Sequence, residues 1–182
     1  MKIDDANPEE KAQLAKIYVY RKKLDKAKTK ELPVLALNEM DARQPALQNM
    51  VHFLYLSKKF TMPQMMDITR MVILMWWFYR EKSTSETTKI ADALYVEKRK
   101  LHEAFLHRLK GNSPERQSQL VLEQMKTLSG QLLYRHFLAM LYEEKNTLAT
   151  LSAEDKSYLM SHYKIMMDCL ESVISTTPTP FN

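Results

Sequence analysis

Two pairs of side chains in this sequence have residue types that could do chemistry. The stretch HEAFLH places His102 and His107 on either side of Glu103, and two histidines that share a helix face beside a glutamate can bind zinc. At a spacing of five residues the two rings point about 140° apart around a helix, so they cannot bind one metal. His162 and Cys169 do share a face, but two turns separate them by about 10 Å, too far for a base to activate a thiol.

Loops that bind phosphates or dinucleotides are also missing. The chain contains only two glycines, Gly111 and Gly130, and such loops need glycine because it adopts positive φ at low cost. No G-x-S-x-G, Walker-type or G-x-G-x-x-G motif is present, and neither is the Glu-x-x-His pair of di-iron bundles. We therefore expect a non-enzymatic protein without a cofactor.

Basic residues near the N-terminus are the first feature that could bind a partner. Residues 1–30 contain nine Lys/Arg and five Asp/Glu, whereas the rest of the chain is nearly balanced with 18 and 17. A cluster of this sign could contact a polyanion such as nucleic acid. The candidate contacts are Arg21, Lys22, Lys23 and Lys26, with Lys98, Arg99 and Lys100 in support. The alternative is a solvated helix whose apolar stripe docks on the rest of the protein or on a second copy.

A methionine-rich segment is the second feature. Residues 71–79, MVILMWWFY, are apolar on every side of a helix and predict a helix that is packed all round. Flexible thioethers can adapt to varied partners, so one side of this helix could also form a groove or an oligomer interface. The candidate groove residues are Met62, Met65, Met66, Met71 and Met75.

Capping signals divide the chain into helices that would position these residues. Asn7-Pro8-Glu9-Glu10 predicts a helix over 8–30, and Thr61 with Gln64 predicts one over 62–82. Further helices are predicted over 45–59, 83–110 and 153–175, with at most a short helix between Pro33 and Pro45. Another helix is predicted from residue 114 onward, and it either continues to residue 146 or breaks near Gly130. Ser83 and Glu86 resemble a capping box, and Gly111 is placed for a left-handed C-terminal cap.

The sequence thus predicts an all-α protein, a single helical bundle of six or seven helices with a basic N-terminal helix. We divide it into an N-terminal helix, arm or dimerisation element at 1–32, a helical core domain at 33–175 and a flexible tail at 176–182. On the helix predicted over 83–110, Leu101 and Phe105 should lie on the inward, apolar face. The polar N-terminus lacks a secretory signal and no apolar stretch is long enough to span a membrane, so we expect a cytoplasmic protein.

The function that these patterns favour is a protein–protein interaction module, such as an adaptor, a chaperone-like protein or a regulatory subunit, with homodimerisation as an option. The partner protein is not identified by the sequence. The alternative is a nucleic-acid-binding protein that uses the N-terminal helix and the 98–110 helix. The two differ in their response to salt, because the affinity for a polyanion falls steeply as salt rises.

Overall fold

The computed structural model describes residues 7–26, 31–57, 59–80 and 89–175. Within these ranges the chain forms α-helices, one 3-10 helix and no strand, so the all-α prediction is confirmed. The α-helices are α1 (Pro8–Lys26), α2 (Glu31–Arg43), α3 (Pro45–Leu56), α4 (Met62–Arg80), α5 (Asp92–Leu109), α6 (Pro114–Lys126), α7 (Gln131–Met140) and α8 (Ala153–Ser175). The 3-10 helix is Thr147–Thr150 and lies between α7 and α8.

The predicted count of six or seven helices was wrong, because the described residues contain eight α-helices. Each of the two segments that the sequence left uncertain adds one helix. Pro33 lies in the first turn of α2, where a proline removes no helical hydrogen bond. Gly130 lies between α6 and α7, so the helix that begins at residue 114 does not continue to residue 146.

Reciprocal capping boxes begin α1 and α4; the sequence predicted the box at Thr61 and Gln64, and at Asn7 it predicted a capping side chain without the return bond to Glu10. The Glu10 N–H donates to Asn7 Oδ1 and the Asn7 N–H donates to Glu10 Oε2, both at 2.9 Å. At α4, the Thr61 N–H donates to Gln64 Oε1 at 2.8 Å and the Gln64 N–H donates to Thr61 Oγ1 at 3.5 Å. Each pair satisfies two backbone donors that a helix start leaves without a partner.

The helix predicted over 83–110 begins later, at Asp92. Residues 89–91 are not helical, and the Ile90 N–H donates to the buried Gln44 Oε1 at the α2–α3 junction at 3.0 Å. Ser83 and Glu86, the proposed capping box, lie outside the described residues, as does the tail at 176–182.

The two glycines have different surroundings, and neither forms a left-handed cap. The prediction for Gly111 was wrong: its φ is not in the left-handed region, and α5 ends on Lys110 in a right-handed conformation. Gly130 instead allows a close approach. A Cβ at this position would overlap Tyr79 Oη and the Met167 methyl group, and the Gly130 N–H donates to Glu171 Oε1 at 2.9 Å.

Helix α4 forms the centre of the fold. Every residue from 71 to 79 is buried, and α4 packs against α1, α2, α3, α8 and the 3-10 helix. Ile17, Tyr20 and Leu24 of α1 belong to the same hydrophobic cluster as α4. The remaining large contacts join α2 to α3, α5 to α8, and α7 to α1 and α8. The division between 1–32 and 33–175 stays a prediction.

Candidate functional site

A groove between the start of α2, the outer face of α3 and the N-terminal half of α4 contains the exposed methionines. Residues 57–61 join α3 to α4 in a short connection, so the two helices pack side by side. Pro33 at the start of α2 lies at the groove as well. The groove has a volume of about 340 Å³ and is lined by Pro33, Gln48, Val51, His52, Tyr55, Met62, Met65, Met66, Thr69, Arg70 and Ile73.

The five predicted groove methionines separate into two groups. Met62 is 61% exposed and Met66 is 54% exposed, and Met65 lies between them at 5%. These three line the groove. Met71 and Met75 are completely buried in the core and are not part of the groove lining. The change from exposed to buried therefore falls between the second and third turns of one helix.

Other exposed apolar side chains lie on α2 and α3. Tyr55 of the lining and Leu56 are more than half exposed at the end of α3, and Val34 and Leu35 are exposed near the start of α2. Phe53 is also more than half exposed, but it stacks on His162 of α8, away from the groove. Together with Met62 and Met66 these five side chains make up nearly half of the large exposed hydrophobic side chains among the described residues. Sequence reasoning missed these exposed side chains. The signal was the run HFLYL at 52–56, because a helix can bury only one side of such a run.

Five of the eleven described lining residues carry polar side-chain groups, and Arg70 is the only Lys, Arg, Asp or Glu among them. Arg70 Nη1 pairs with Asp67 Oδ1 at 3.1 Å, and its side chain remains 43% exposed. Gln48 Oε1 is buried and has no hydrogen-bond partner among the described residues. The groove thus offers one cationic group on a largely apolar surface, with an unsatisfied acceptor buried beneath it.

The basic residues predicted on α1 lie mostly in solvent, and one of them is neutralised. Arg21 Nη2 pairs with Glu143 Oε2 at 2.7 Å, and Arg21 Nε lies 3.7 Å from Asp25 Oδ2. Lys22 and Lys23 are exposed, with ammonium groups 5.8 and 5.7 Å from the rings of the nearby Tyr18 and Tyr20. Lys26 is exposed at the end of the helix.

The supporting basic residues on α5 also have acidic neighbours. Lys98 Nζ lies 3.6 Å from Glu97 Oε1, and Arg99 Nε lies 3.5 Å from Glu103 Oε1, whereas Lys100 is exposed. The largest contacts of α5 are with α8, and those of α1 are with α4 and α7. The two basic groups therefore lie on helices with different packing partners.

The inward face of α5 differs from the predicted one. Phe105 is buried as expected, but Leu101 is 58% exposed and His102 takes the inward position at 8%. Neither His102 ring nitrogen has a hydrogen-bond partner among the described residues. Burial, together with the nearby Lys164 ammonium, lowers the pKa of His102 to about 4, so this imidazole is neutral at physiological pH.

Cys169 and His162, the other pair of side chains that could do chemistry, are not arranged as a nucleophile and its base. Cys169 is fully buried, and burial raises the pKa of its thiol to about 12. The His162 ring, two turns away on the same helix, interacts through Nδ1 with the Tyr158 carbonyl oxygen at 2.9 Å and stacks on Phe53. In the described part of the chain, no group of three His, Cys, Asp or Glu side chains could hold a metal ion.

None of the described helices combines the length and apolar character needed to cross a membrane. The chain matches no protein-family model, no curated protein and no solved structure.

Proposed function

We propose that this protein is a protein–protein interaction module whose α2–α3–α4 groove receives an amphipathic helix of a partner protein. The observation that carries the proposal is the exposure of Met62 and Met66, one turn apart on the helix that otherwise forms the core. Soluble proteins rarely leave contiguous large apolar side chains in water unless the patch binds something. Methionine suits such a surface because its side chain repacks around different partners.

The chemistry of the partner follows from the groove. Its apolar lining favours a helix with aliphatic residues at i, i+3, i+4 and i+7. Arg70 keeps exposed donors and no acidic residue lies in the described lining, so an acidic residue beside the aliphatic face would complement it. Adaptor, chaperone-like and regulatory roles are all compatible with this binding mode.

Nucleic-acid binding is the second candidate, supported by the exposed Lys22, Lys23 and Lys26. It is the weaker one because Arg21, Lys98 and Arg99 each lie within 4 Å of a carboxylate. A polyanion would have to displace these local pairs. Salt separates the two functions, since the logarithm of affinity for nucleic acid falls with the logarithm of salt and an apolar groove is nearly insensitive to it.

The test is a titration of a fluorescein-labelled helical peptide with Leu at i, i+3, i+4 and i+7 and Glu at the flanking positions, followed by anisotropy at low and high salt. The double variant Met62→Gln/Met66→Gln should weaken binding by about tenfold or more, because each methionine contributes roughly 1 kcal/mol of apolar contact. The matched control is Leu101→Gln/Leu122→Gln, which removes two similarly exposed apolar side chains elsewhere.

Equal binding by both double variants would reject the groove as the site. Binding that disappears at high salt would favour the polyanion surface. Self-association of the unbound protein that the methionine variant abolishes would instead assign the groove to a second copy of this chain.

A further inference from the structure

A second cavity lies on another part of the molecule, between α5, α6, α7 and α8, and is partly open to solvent. Its volume is about 320 Å³, which falls in the range of roughly 300–1,000 Å³ typical of small-molecule sites. Most of its lining is apolar, with Phe105, Leu141 and Met160 among the buried side chains. Tyr142 and Val121 are exposed and lie at its rim.

Two polar side chains in the lining of this cavity are almost completely shielded from solvent. His102 and Lys164 both line it, and they are 8% and 4% exposed. Lys164 Nζ lies 2.6 Å from both carboxylate oxygens of Asp168, which uses two of its three donors. A neutral imidazole has one N–H and one acceptor nitrogen, and neither His102 nitrogen has a partner among the described residues. Burying such groups without partners is unfavourable.

We infer that this cavity is a binding site for a small apolar molecule whose uncharged head group carries a hydroxyl or carbonyl oxygen. The oxygen accepts a hydrogen bond from the His102 N–H, and the apolar body lies along Phe105, Met125 and Met160. An uncharged head group is favoured because Lys164 is already balanced by Asp168. A carboxylate would add a second negative charge beside the first in a shielded environment.

Helix α6 covers one side of this cavity and is the helix that the rest of the fold holds least. Among its residues only Met125 is buried, whereas Val121 and Leu122 are exposed. The larger helix-to-helix contacts do not involve α6. A ligand that touches Val121, Gln124 and Met125 would therefore add apolar contact to a helix that has little of it.

Methionine methyl groups provide a direct test, using 1-octanol as the probe and protein labelled with ¹³C at the methionine methyl carbon. Met125 and Met160 line the cavity, whereas Met62 and Met66 lie in the separate groove. We expect saturable shifts of the first pair and unchanged resonances of the second. Octanoate, which has the same chain and a charged head group, should bind about tenfold more weakly.

Two variants assign the binding to the cavity. His102→Phe should weaken octanol binding about tenfold by removing the donor, without lowering the urea midpoint of the free protein, because it also removes an unpaired buried ring. Ser161→Leu should fill part of the cavity and abolish the octanol shifts. If the His102 variant does not fold, the Ser161 variant alone tests whether octanol binds in the cavity.

Several results would overturn the inference. One is the lack of a saturable shift at Met125 and Met160 up to the solubility limit of octanol. Another is an equal response of Met62 and Met66, which would show unspecific binding. The third is wild-type affinity in a folded Ser161→Leu protein.

Discussion

Replacing Gly130 by alanine should destabilise the protein, because the fold brings another side chain against this position. The new Cβ would overlap Tyr79 Oη and the Met167 methyl group. Met167 can yield because its end is flexible. Tyr79 cannot easily do so, because it is 1% exposed and its hydroxyl donates to Glu171 Oε1 at 2.7 Å.

The size of the effect can be worked out from the geometry. Gly130 has φ −95° and ψ 25°, which an alanine can adopt, so the cost is steric. Overpacking a buried site costs about 1–3 kcal/mol, whereas the smaller entropy of an unfolded alanine returns roughly 0.4–1 kcal/mol. We expect a net loss of about 1–2 kcal/mol in the free energy of unfolding.

The other glycine of the chain is the matched control. A Cβ at Gly111 would meet nothing within 4 Å, so Gly111→Ala should be neutral or stabilising by about 0.4–1 kcal/mol. Urea denaturation followed by the fluorescence of the buried Trp76 and Trp77 measures both variants. In a Tyr79→Phe background the Gly130 substitution should cost less, since the nearest atom is gone. The reasoning is refuted if Gly130→Ala is as stable as Gly111→Ala.

Three further predictions concern pH, the first helix and charge. The folded protein keeps His102 and His136 neutral, each with a pKa lowered to about 4 mainly by burial, whereas the unfolded imidazoles have a pKa near 6.5. Because the unfolded chain binds more protons, the free energy of unfolding should fall between pH 7 and pH 5 by about 1 kcal/mol per histidine after allowance for partial exposure. Urea titrations at the two pH values measure this change, and an increase would contradict the assignment. Deleting residues 1–26 should abolish cooperative thermal unfolding. The reason is that α1 buries three side chains worth roughly 1.5–3 kcal/mol each, against a total stability of about 5–15 kcal/mol. Cooperative unfolding of the truncated protein would show that α1 is a separate arm. Changing the four basic residues Arg21, Lys22, Lys23 and Lys26 to Gln should leave peptide affinity within about twofold and destabilise by no more than about 1 kcal/mol, and a large loss of peptide affinity in anisotropy would place the site on α1.

Much of the fold was predictable because its signals are local. Reciprocal caps such as Asn7 with Glu10, and an apolar run such as 71–79, depend on residues close together in the chain. The start of α5 was not predictable from such signals. The Ile90 N–H just before it donates to Gln44 Oε1, a bond that joins residues 46 positions apart.

The candidate site could be predicted only in part for the same reason. Composition pointed to methionines, but the periodicity of α4 could not separate the exposed Met62 and Met66 from the buried Met71 and Met75. That depends on where α1, α2 and α3 cover α4. The inward position of His102 was missed because an apolar Leu101 next to it fits an inward face equally well by residue type.

The most direct test of the proposed function is the methionine methyl spectrum during titration with the Leu/Glu helical peptide. The thirteen methionines of the chain report on the groove, the core and the second cavity at once. The proposal predicts saturable shifts at Met62 and Met66, with Met125 and Met160 unchanged. If the peptide binds and the resonances of Met62 and Met66 do not move, the groove is not the binding surface and the proposed function is wrong.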